Sequence, residues 1–248
     1  MGNDTSCIYG RHPVTEAIRS GQTIDKVLLQ QGTRGEFEKE IRHLCKAAGI
    51  PMQVVPREKL SQLVSGNHQG VIALVSLGTY YALEDLLPNI FERSQTPLLV
   101  LLDGVTDVRN FGAIARTAEC MGAQALVVPQ KGSALINADA MKASAGALSK
   151  IPVCRERSLS KAVELLQQSG VRVYASDLQA EQCVFELDFR HPTAFLLGSE
   201  GAGVSPALLR QADARFIIPQ SGETDSLNVS VAAGMMLYEA IKQRLTKQ

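Results

Sequence analysis

The stretch LLVLLD at residues 98–103 decides the fold class, because it is an unbroken apolar run that ends on a carboxylate. A strand with one face in water alternates apolar and polar residues. A continuous run is instead typical of a parallel sheet that helices cover on both faces. Similar runs return in TAFLL at 193–197 and RFII at 215–218. These three segments are therefore predicted to be strands of a parallel α/β sheet.

Segments with the apolar spacing of helices alternate with these strands, and the connections between them are short. This alternation predicts a mostly parallel sheet with helices on both sides. The predicted helices are 113–121, 159–168, 206–212 and 229–244, and the further predicted strands are 125–129 and 172–176.

A smaller α/β pattern precedes the apolar run at 98–103. Its predicted strands are 24–30, 52–55 and 71–76, and its predicted helices are 14–19, 37–48 and 57–64. Residues 77–96 fit neither pattern and are interpreted as a connector with a short helix at best. The sequence therefore predicts a domain at 1–76, a linker at 77–96 and a larger domain at 97–248.

The composition favours a cytoplasmic protein without a metal centre. The chain has 248 residues, 45% of them hydrophobic, and its 25 basic residues balance 25 acidic ones, so nucleic-acid contact would have to come from local patches. Its cysteines and histidines form no CxxC or HxxxH pair, so neither zinc nor a disulfide framework is expected. No apolar stretch approaches the ~20 residues of a membrane span, and the first residues do not resemble a signal peptide.

Ligands of open parallel sheets bind at the carboxyl ends of the strands, so the loops after 103, 197 and 218 form the candidate site. The first loop, DGVTDVRNFG at 103–112, lacks the GxGxxG dinucleotide fingerprint. It is expected to place Asn110 at the strand outlet and Arg116 one turn into the next helix. A helical arginine is commonly a surface ion-pair partner, but the small residues around Arg116 leave its guanidinium accessible.

The second loop, GSEGAG at 198–203, contains three glycines that let a backbone approach a ligand closely. A flexible turn is the alternative interpretation. The loop is not a Walker A motif, and the carboxylate of Glu200 would repel phosphates. Glu200 suits a ribose hydroxyl, a cationic ligand or a neighbouring arginine.

The third loop, PQSGETDSLN at 219–228, leads into the last helix. Ser226 and Asn228 are residue types that cap helices, and Ser230 lies just inside the helix. Capping explains one of these side chains, and the excess of polar groups indicates a binding site. The absence of GxSxG excludes the nucleophile of an α/β-hydrolase. The residues alone thus predict a polar, glycine-rich pocket for a small neutral or cationic cofactor.

At these loops the chain resembles the SPOUT superfamily (TrmH/SpoU type) of RNA ribose 2′-O-methyltransferases. The resemblance lies in three ordered motifs and in two N-terminal segments that are similar to the substrate-binding domain of bacterial 23S ribosomal RNA guanosine methyltransferases. It extends from Ile8 to Arg244. The motifs are NFGAIARTA at 110–118, LGSEGAGV at 197–204 and IIPQ with SLNVSVA between 217 and 232, and the N-terminal segments are GRHPVTEA at 10–17 and NHQGVIA at 67–73.

The resemblance implies S-adenosylmethionine as methyl donor, RNA as substrate, a homodimer with its active site near the subunit interface, and a deep trefoil knot in the C-terminal domain. The reaction it implies is 2′-O-methylation of a guanosine in 23S ribosomal RNA. It also implies that Arg116 contacts the target nucleotide and promotes loss of the 2′-proton. Because a guanidinium stays protonated and is a poor base, we interpret Arg116 as a phosphate anchor and a stabiliser of the forming alkoxide. Glu200 would orient Arg116 or a ribose hydroxyl.

The resemblance assigns three sets of residues by their positions in the motifs. The catalytic set is Arg116, Glu200, Asn110, Asn228 and Ser230. The cofactor set is Gly198, Ile218, Leu227, Leu197, Pro219 and Ser226. The set expected to contact RNA is Arg11, His12, Asn67, His68, Arg109, Lys142 and Lys150.

Three alternatives stay open on the sequence: a transfer RNA 2′-O-methyltransferase, a non-catalytic RNA-binding or ribosome-assembly factor, and a small-molecule α/β enzyme with a nucleotide cofactor. The intact motif side chains weigh against the second, because a protein without activity could lose them freely. The glutamate in the glycine loop and the missing GxGxxG weigh against the third.

Overall fold

The structure is a computed structural model that describes residues 7–93, 95–222, 224 and 226–246. These residues form two compact units. The first takes in the chain up to Thr79 together with Leu135–Ala138, and the second takes in Tyr80–Ala134 and the chain from Asp139 onward.

The first unit is a four-stranded mixed sheet with helices. Its elements are β1 (Cys7–Tyr9), α1 (Arg11–Arg19), β2 (Ile24–Gln30), α2 (Glu36–Ala47), β3 (Met52–Val55), α3 (Arg57–Leu63) and β4 (Val71–Val75). The strand order is β1-β4-β2-β3, with β3 parallel to β2 and β4 antiparallel to both β1 and β2.

Both faces of this small sheet are covered. Successive side chains of a strand point to opposite faces, so Val27 and Leu29 enter one apolar cluster while Leu28 enters another. Leu135 packs against the second cluster, and the Leu77 N–H donates to the Ile136 carbonyl. A short piece from the middle of the chain therefore belongs to the first unit, which the sequence pattern does not predict.

The second unit contains the apolar run at 98–103. The elements along this part of the chain are β5 (Tyr80–Tyr81), α4 (Leu83–Glu92), β6 (Leu98–Asp103), α5 (Val108–Cys120), β7 (Ala125–Pro129), α6 (Ala138–Ala143), β8 (Val153–Glu156), α7 (Leu159–Gln168), β9 (Arg172–Ser176), β10 (Thr193–Gly198), α8 (Pro206–Gln211), β11 (Ala214–Phe216) and α9 (Val229–Leu245).

The predicted parallel sheet is confirmed. The strand order is β11-β9-β10-β6-β7-β8-β5, and every pairing in it is parallel. Strand β6 lies at the centre, with Leu98–Leu102 buried. Because the strands run in one direction, the ends of β6, β10 and β11 all lie at the same edge of the sheet. The loops that the sequence singles out leave from this edge.

The connector expected over 77–96 is largely part of the second unit. Tyr80 and Tyr81 pair with β8, and Leu83 and Leu87 of α4 are buried in the core of the large sheet. The pattern is hard to read because β5 has only two residues and Pro88 interrupts α4. Strand β8 is also unpredicted, since its apolar part is Val153–Cys154 alone. Within the described residues, no helix is long and apolar enough to cross a membrane.

Candidate functional site

The first and second loops leave the sheet side by side. Gly198, the last residue of β10, pairs with Asp103, the last residue of β6. The Asp103 carboxylate accepts a hydrogen bond of 2.8 Å from the Ser205 N–H at the far end of the glycine loop. The local sequence does not indicate this contact of Asp103, because Ser205 lies 102 residues away in the chain.

Gly198 is required by the backbone of its own loop. A Cβ atom there would lie 1.8 Å from the carbonyl carbon of Gly203 and 2.0 Å from the Val204 nitrogen. The loop folds back on itself through the Gly203 N–H, which donates to the Ser199 carbonyl at 2.9 Å. The glycines are expected from the sequence to admit a ligand. At Gly198, the structure shows that the space is taken by the chain itself.

Helix α5 is fixed at its first turn. Asp107 is its N-cap, and the carboxylate accepts from the backbone N–H groups of Arg109 and Asn110. The hydrogen bond from the Asn110 N–H is the main reason that the pKa of Asp107 lies below its ordinary value. Gly112 then seats the helix against α6, since a Cβ would lie 2.6 Å from that of Ala143. These contacts fix where α5 begins and how closely it packs on α6.

Side chains from all three loops meet in one hydrogen-bonded cluster. The Asn110 side-chain amide donates to Glu200 Oε1 at 3.0 Å. The Asn228 amide donates to Asn110 Oδ1 at 3.0 Å and also to Glu200 Oε1. We call these three residues the amide–carboxylate cluster. The sequence separation of its members reaches 118 residues, so only the fold brings them together.

Asn228 and Ser230 connect this cluster to the last helix. Asn228 is the N-cap of α9, and its Oδ1 accepts from the Ser230 N–H at 2.9 Å and from the Ser230 hydroxyl. The amide oxygen of Asn228 therefore caps the helix while its NH₂ group reaches the other two loops. The cap and the contacts with the cluster thus use different atoms of one amide group.

Arg116 stands apart from the cluster. Helix α5 begins at Val108, so Arg116 lies in its third turn and not one turn in, as the sequence suggests. It is exposed and makes no hydrogen bond or ion pair with any described residue, and Glu200 likewise forms no ion pair with them. The expected Glu200–Arg116 contact is thus absent from the described part of the chain. Arg109 lies seven residues earlier, so both arginines occupy one face of α5.

The residues assigned to the cofactor lie along the same sheet edge. Leu197 and Gly198 are buried at the end of β10, and Ile218 and Pro219 follow β11. Ser226 and Leu227 directly precede the cap of α9. Glu223 and Asp225 of the third loop lie outside the described residues.

Ile218 and Leu227 have half-buried apolar side chains and backbone groups that are open to a ligand. Their N–H and C=O groups have no hydrogen-bond partner among the residues that the structure describes. Apolar surface next to open backbone donors and acceptors suits a ring system that both stacks and forms hydrogen bonds.

His68 is the one residue expected to contact RNA that the structure buries. Its Nδ1 accepts from the Gly70 N–H at 3.0 Å, and its Nε2 faces the Ser61 hydroxyl at 3.3 Å. Both ring nitrogens are therefore engaged inside the protein, and His68 holds its loop in place. His12, Asn67 and Lys142 are exposed, as a contact with RNA requires. No group of His, Cys, Asp or Glu that could hold a metal ion occurs within 7–93, 95–222, 224 and 226–246.

Comparison with known proteins finds counterparts for both units. Residues 97–238 match the family described as SpoU rRNA Methylase, and residues 7–81 match the one described as RNA 2′-O ribose methyltransferase substrate binding. A Bacillus subtilis protein named for the TrmH family of tRNA/rRNA methyltransferases is 34% identical over 244 residues, which are 98% of each chain. The three loops all lie within the first of these matched ranges.

Two solved structures differ in how much of this chain they match. The AdoMet-bound rRNA methyltransferase of Sinorhizobium meliloti is 27% identical, with a TM-score of 0.62, and covers 98% of this chain and 89% of its own. The A. aeolicus TrmH/SpoU tRNA-modifying enzyme is 32% identical, with a TM-score of 0.56, and covers 65% of this chain and 83% of its own. The ribosomal RNA neighbour therefore matches nearly the whole chain, whereas the tRNA neighbour matches about two thirds of it.

Proposed function

Because the chain belongs to the SpoU methylase family of RNA 2′-O-ribose methyltransferases, we propose that it methylates the ribose 2′-hydroxyl of a guanosine in 23S ribosomal RNA. The methyl donor is S-adenosylmethionine. The observation that carries the proposal is the amide–carboxylate cluster, in which Asn110, Glu200 and Asn228 from separate loops meet at one edge of the parallel sheet.

The residues along this edge fit an adenosyl ligand. Ile218 and Leu227 offer half-buried apolar surface with open backbone groups, which suit an adenine ring. Leu197 and Gly198 would border it at the end of β10, with Pro219 and Ser226 at the two ends of the third loop. S-adenosylmethionine, when bound, supplies an activated methyl group on a sulfonium. The Glu200 carboxylate, which has no cationic partner among the described residues, favours a positive charge nearby.

The protein's own part in the reaction is to position the ribose and to stabilise charge on its 2′-oxygen. Arg116 is exposed without a partner in the described structure, so its guanidinium is available to a phosphate and to the forming alkoxide. Arg109 on the same helix face offers a second phosphate contact. Asn110, Asn228 and Ser230 hold Glu200 and the third loop in place, and Glu200 would then face a ribose hydroxyl.

Ribosomal RNA is favoured over transfer RNA by the presence of the first unit. The substrate-binding family match covers residues 7–81, and the rRNA methyltransferase of Sinorhizobium meliloti matches the chain across both units. The tRNA-modifying neighbour matches only 65% of the chain. A ribosomal substrate in turn implies action in the cytoplasm.

The proposed reaction is tested with labelled S-adenosylmethionine and unmodified RNA. We expect label in 23S ribosomal RNA, in one linkage that resists alkaline hydrolysis and maps to a guanosine, because a 2′-O-methyl group blocks cleavage at its own position. Unmodified transfer RNA is the matched substrate control. Label in transfer RNA alone would contradict the ribosomal assignment, and binding of S-adenosylmethionine without transfer to any RNA would favour the assembly-factor alternative.

A homodimer is supported by an apolar stripe on α9. Val231, Met235 and Tyr238 are 49%, 47% and 59% exposed, and their spacing places them on one face of the helix. Large exposed apolar side chains in a row mark an interaction surface. Helix α9 packs on α5, and Gly234, which lies next to the stripe, faces Thr117, one residue from Arg116. The proposed interface would therefore border the catalytic site.

We keep the trefoil knot of the C-terminal unit as a further proposal, which the three motifs support.

The dimer is tested by placing a charge in the stripe. We expect the unaltered protein to sediment as a dimer and Met235→Lys with Tyr238→Lys to sediment as a monomer, because two buried ammonium groups would oppose association. Leu178→Lys, at a residue 56% exposed in another part of the second unit, serves as the control and should remain dimeric. A monomeric unaltered protein, or a dimeric double variant, would contradict the proposed interface.

A further inference from the structure

The first unit contains a cleft of about 810 Å³, and its lining includes Arg11 and Asn67, which the sequence predicts to contact RNA. It lies between the turn after β2 and the loop that precedes β4, and the first residues of α1 and α3 border it. Its lining includes Arg11, Arg34 and Arg57, and no aspartate or glutamate is among its described lining residues. We call it the arginine cleft. A site with this charge selects an anion.

The arginines of the cleft differ from others in the same unit. Arg19 pairs with Glu16 and Glu40, and Arg42 pairs with Glu38. Such pairs are the usual arrangement of surface arginines.

Arg34 and Arg57 are exposed and pair with no carboxylate in the described part of the chain. Arg11 instead contacts Gln69 through its backbone N–H and its Nε, and lies over the Phe37 ring. Its charge is therefore held in place without being neutralised. Three guanidinium groups remain available around one cavity.

The loop that precedes β4 is held by hydrogen bonds of its own. His68 is buried and accepts the Gly70 N–H, and Gln69 adopts a positive φ of 49°, which is uncommon outside glycine. The Gln69 N–H donates to Asn67 Oδ1, so the amide NH₂ of Asn67 is free to face a ligand. The side chain of Gln31 offers a second amide without a partner in the described structure. Side-chain amides of this kind can form hydrogen bonds with the edges of bases.

We propose that the arginine cleft binds an unpaired segment of the RNA substrate, with Arg34 and Arg57 on its phosphates and Asn67 and Gln31 on a base edge. The inference rests on the proposed function, since it takes RNA as the substrate. The volume lies in the range of clefts that bind small ligands, which fits unstacked nucleotides. Proteins read RNA sequence mainly on such unpaired nucleotides.

The test measures binding of a labelled, unstructured oligoribonucleotide to the full chain over a series of salt concentrations. We expect Arg34→Gln with Arg57→Gln to weaken binding at least about tenfold. Its slope of log K against log salt should fall by about 1.4, since each phosphate contact on a single strand contributes about 0.7. The matched control is Arg19→Gln with Arg42→Gln, which removes the same charge from ion-paired positions. It should leave both quantities nearly unchanged.

Three results would overturn the proposal: unchanged binding by the cleft variant, an equal loss in the control, or a blunt RNA duplex that displaces the oligoribonucleotide as well as an unlabelled copy does. Calorimetry with S-adenosylmethionine is run on the same proteins. A cleft variant that binds the donor normally and loses the oligoribonucleotide supports the cleft. An unaltered protein that binds the oligoribonucleotide but not the donor would contradict the proposed methyl transfer and leave the cleft supported.

Discussion

Replacement of Arg116 by alanine is expected to lower the rate of methyl transfer by at least about a hundredfold, because removing one group that stabilises a developing charge costs about 10²–10³ in rate. The fold should be unaffected, since Arg116 is exposed and has no hydrogen bond or ion pair with the described residues. Binding of S-adenosylmethionine should also be preserved, because the proposed cofactor residues lie on other loops. Loss of rate without loss of stability is therefore the signature of the proposed role.

The measurement is transfer of labelled methyl groups to ribosomal RNA, with thermal unfolding and calorimetry on the same protein. Arg210→Ala removes an exposed arginine from α8, outside the three loops, and should be as active as the unaltered protein. Arg116→Lys separates charge from geometry: it keeps the charge but cannot form the paired hydrogen bonds of a guanidinium, so partial activity is expected. Full activity in Arg116→Ala would reject the assignment.

Replacement of Gly198 by alanine is expected to displace the glycine loop and abolish measurable binding of S-adenosylmethionine. The added Cβ would lie 1.8 Å from the Gly203 carbonyl carbon, and a backbone atom, unlike the end of a flexible side chain, cannot turn away. The free energy of unfolding should fall by about 3 kcal/mol, at the upper end of the cost of overpacking. Glu200 would move with the loop and leave the amide–carboxylate cluster.

Calorimetric titration with S-adenosylmethionine and thermal unfolding measure the two effects. The matched control is Gly222→Ala, because a Cβ at Gly222 meets no atom of the described residues within 4 Å and the backbone there has no positive φ. It should bind the donor and unfold like the unaltered protein. Normal donor affinity in Gly198→Ala would show that the close backbone packing at this position is not needed for the cofactor site.

The elements that the sequence predicts well are those whose pattern is local. The run LLVLLD becomes β6, and Asn228, a residue type that caps helices, stands where α9 begins. The expected meeting of the three loops rests on one general rule, that ligand-binding loops of a parallel sheet share an edge. The structure shows that meeting in the contacts of Asn110, Glu200 and Asn228. The catalytic roles of these residues remain predictions.

The features that the sequence misses depend on distant partners. Nothing near Asp103 indicates that its carboxylate holds Ser205, and nothing near Leu135 indicates that it packs in the first unit. The sequence around His68 is compatible both with a contact to RNA and with a buried side chain that anchors its loop. The contact with Ser61 in the structure favours the second interpretation. The sequence likewise does not predict the arginine cleft, because its three arginines come from separate parts of the chain.

By itself the sequence determined the layered α/β class, the central buried strand and the three polar loops, because side-chain periodicity and capping act over a few neighbouring residues. Only the tertiary structure decided that Glu200 accepts hydrogen bonds from two asparagine amides and does not contact Arg116. It also decided that the backbone of the glycine loop fills the space where a side chain at Gly198 would lie. Such contacts join residues far apart in the chain. Their geometry follows from how the strands are ordered and from how closely the backbones pack, and no local pattern specifies either.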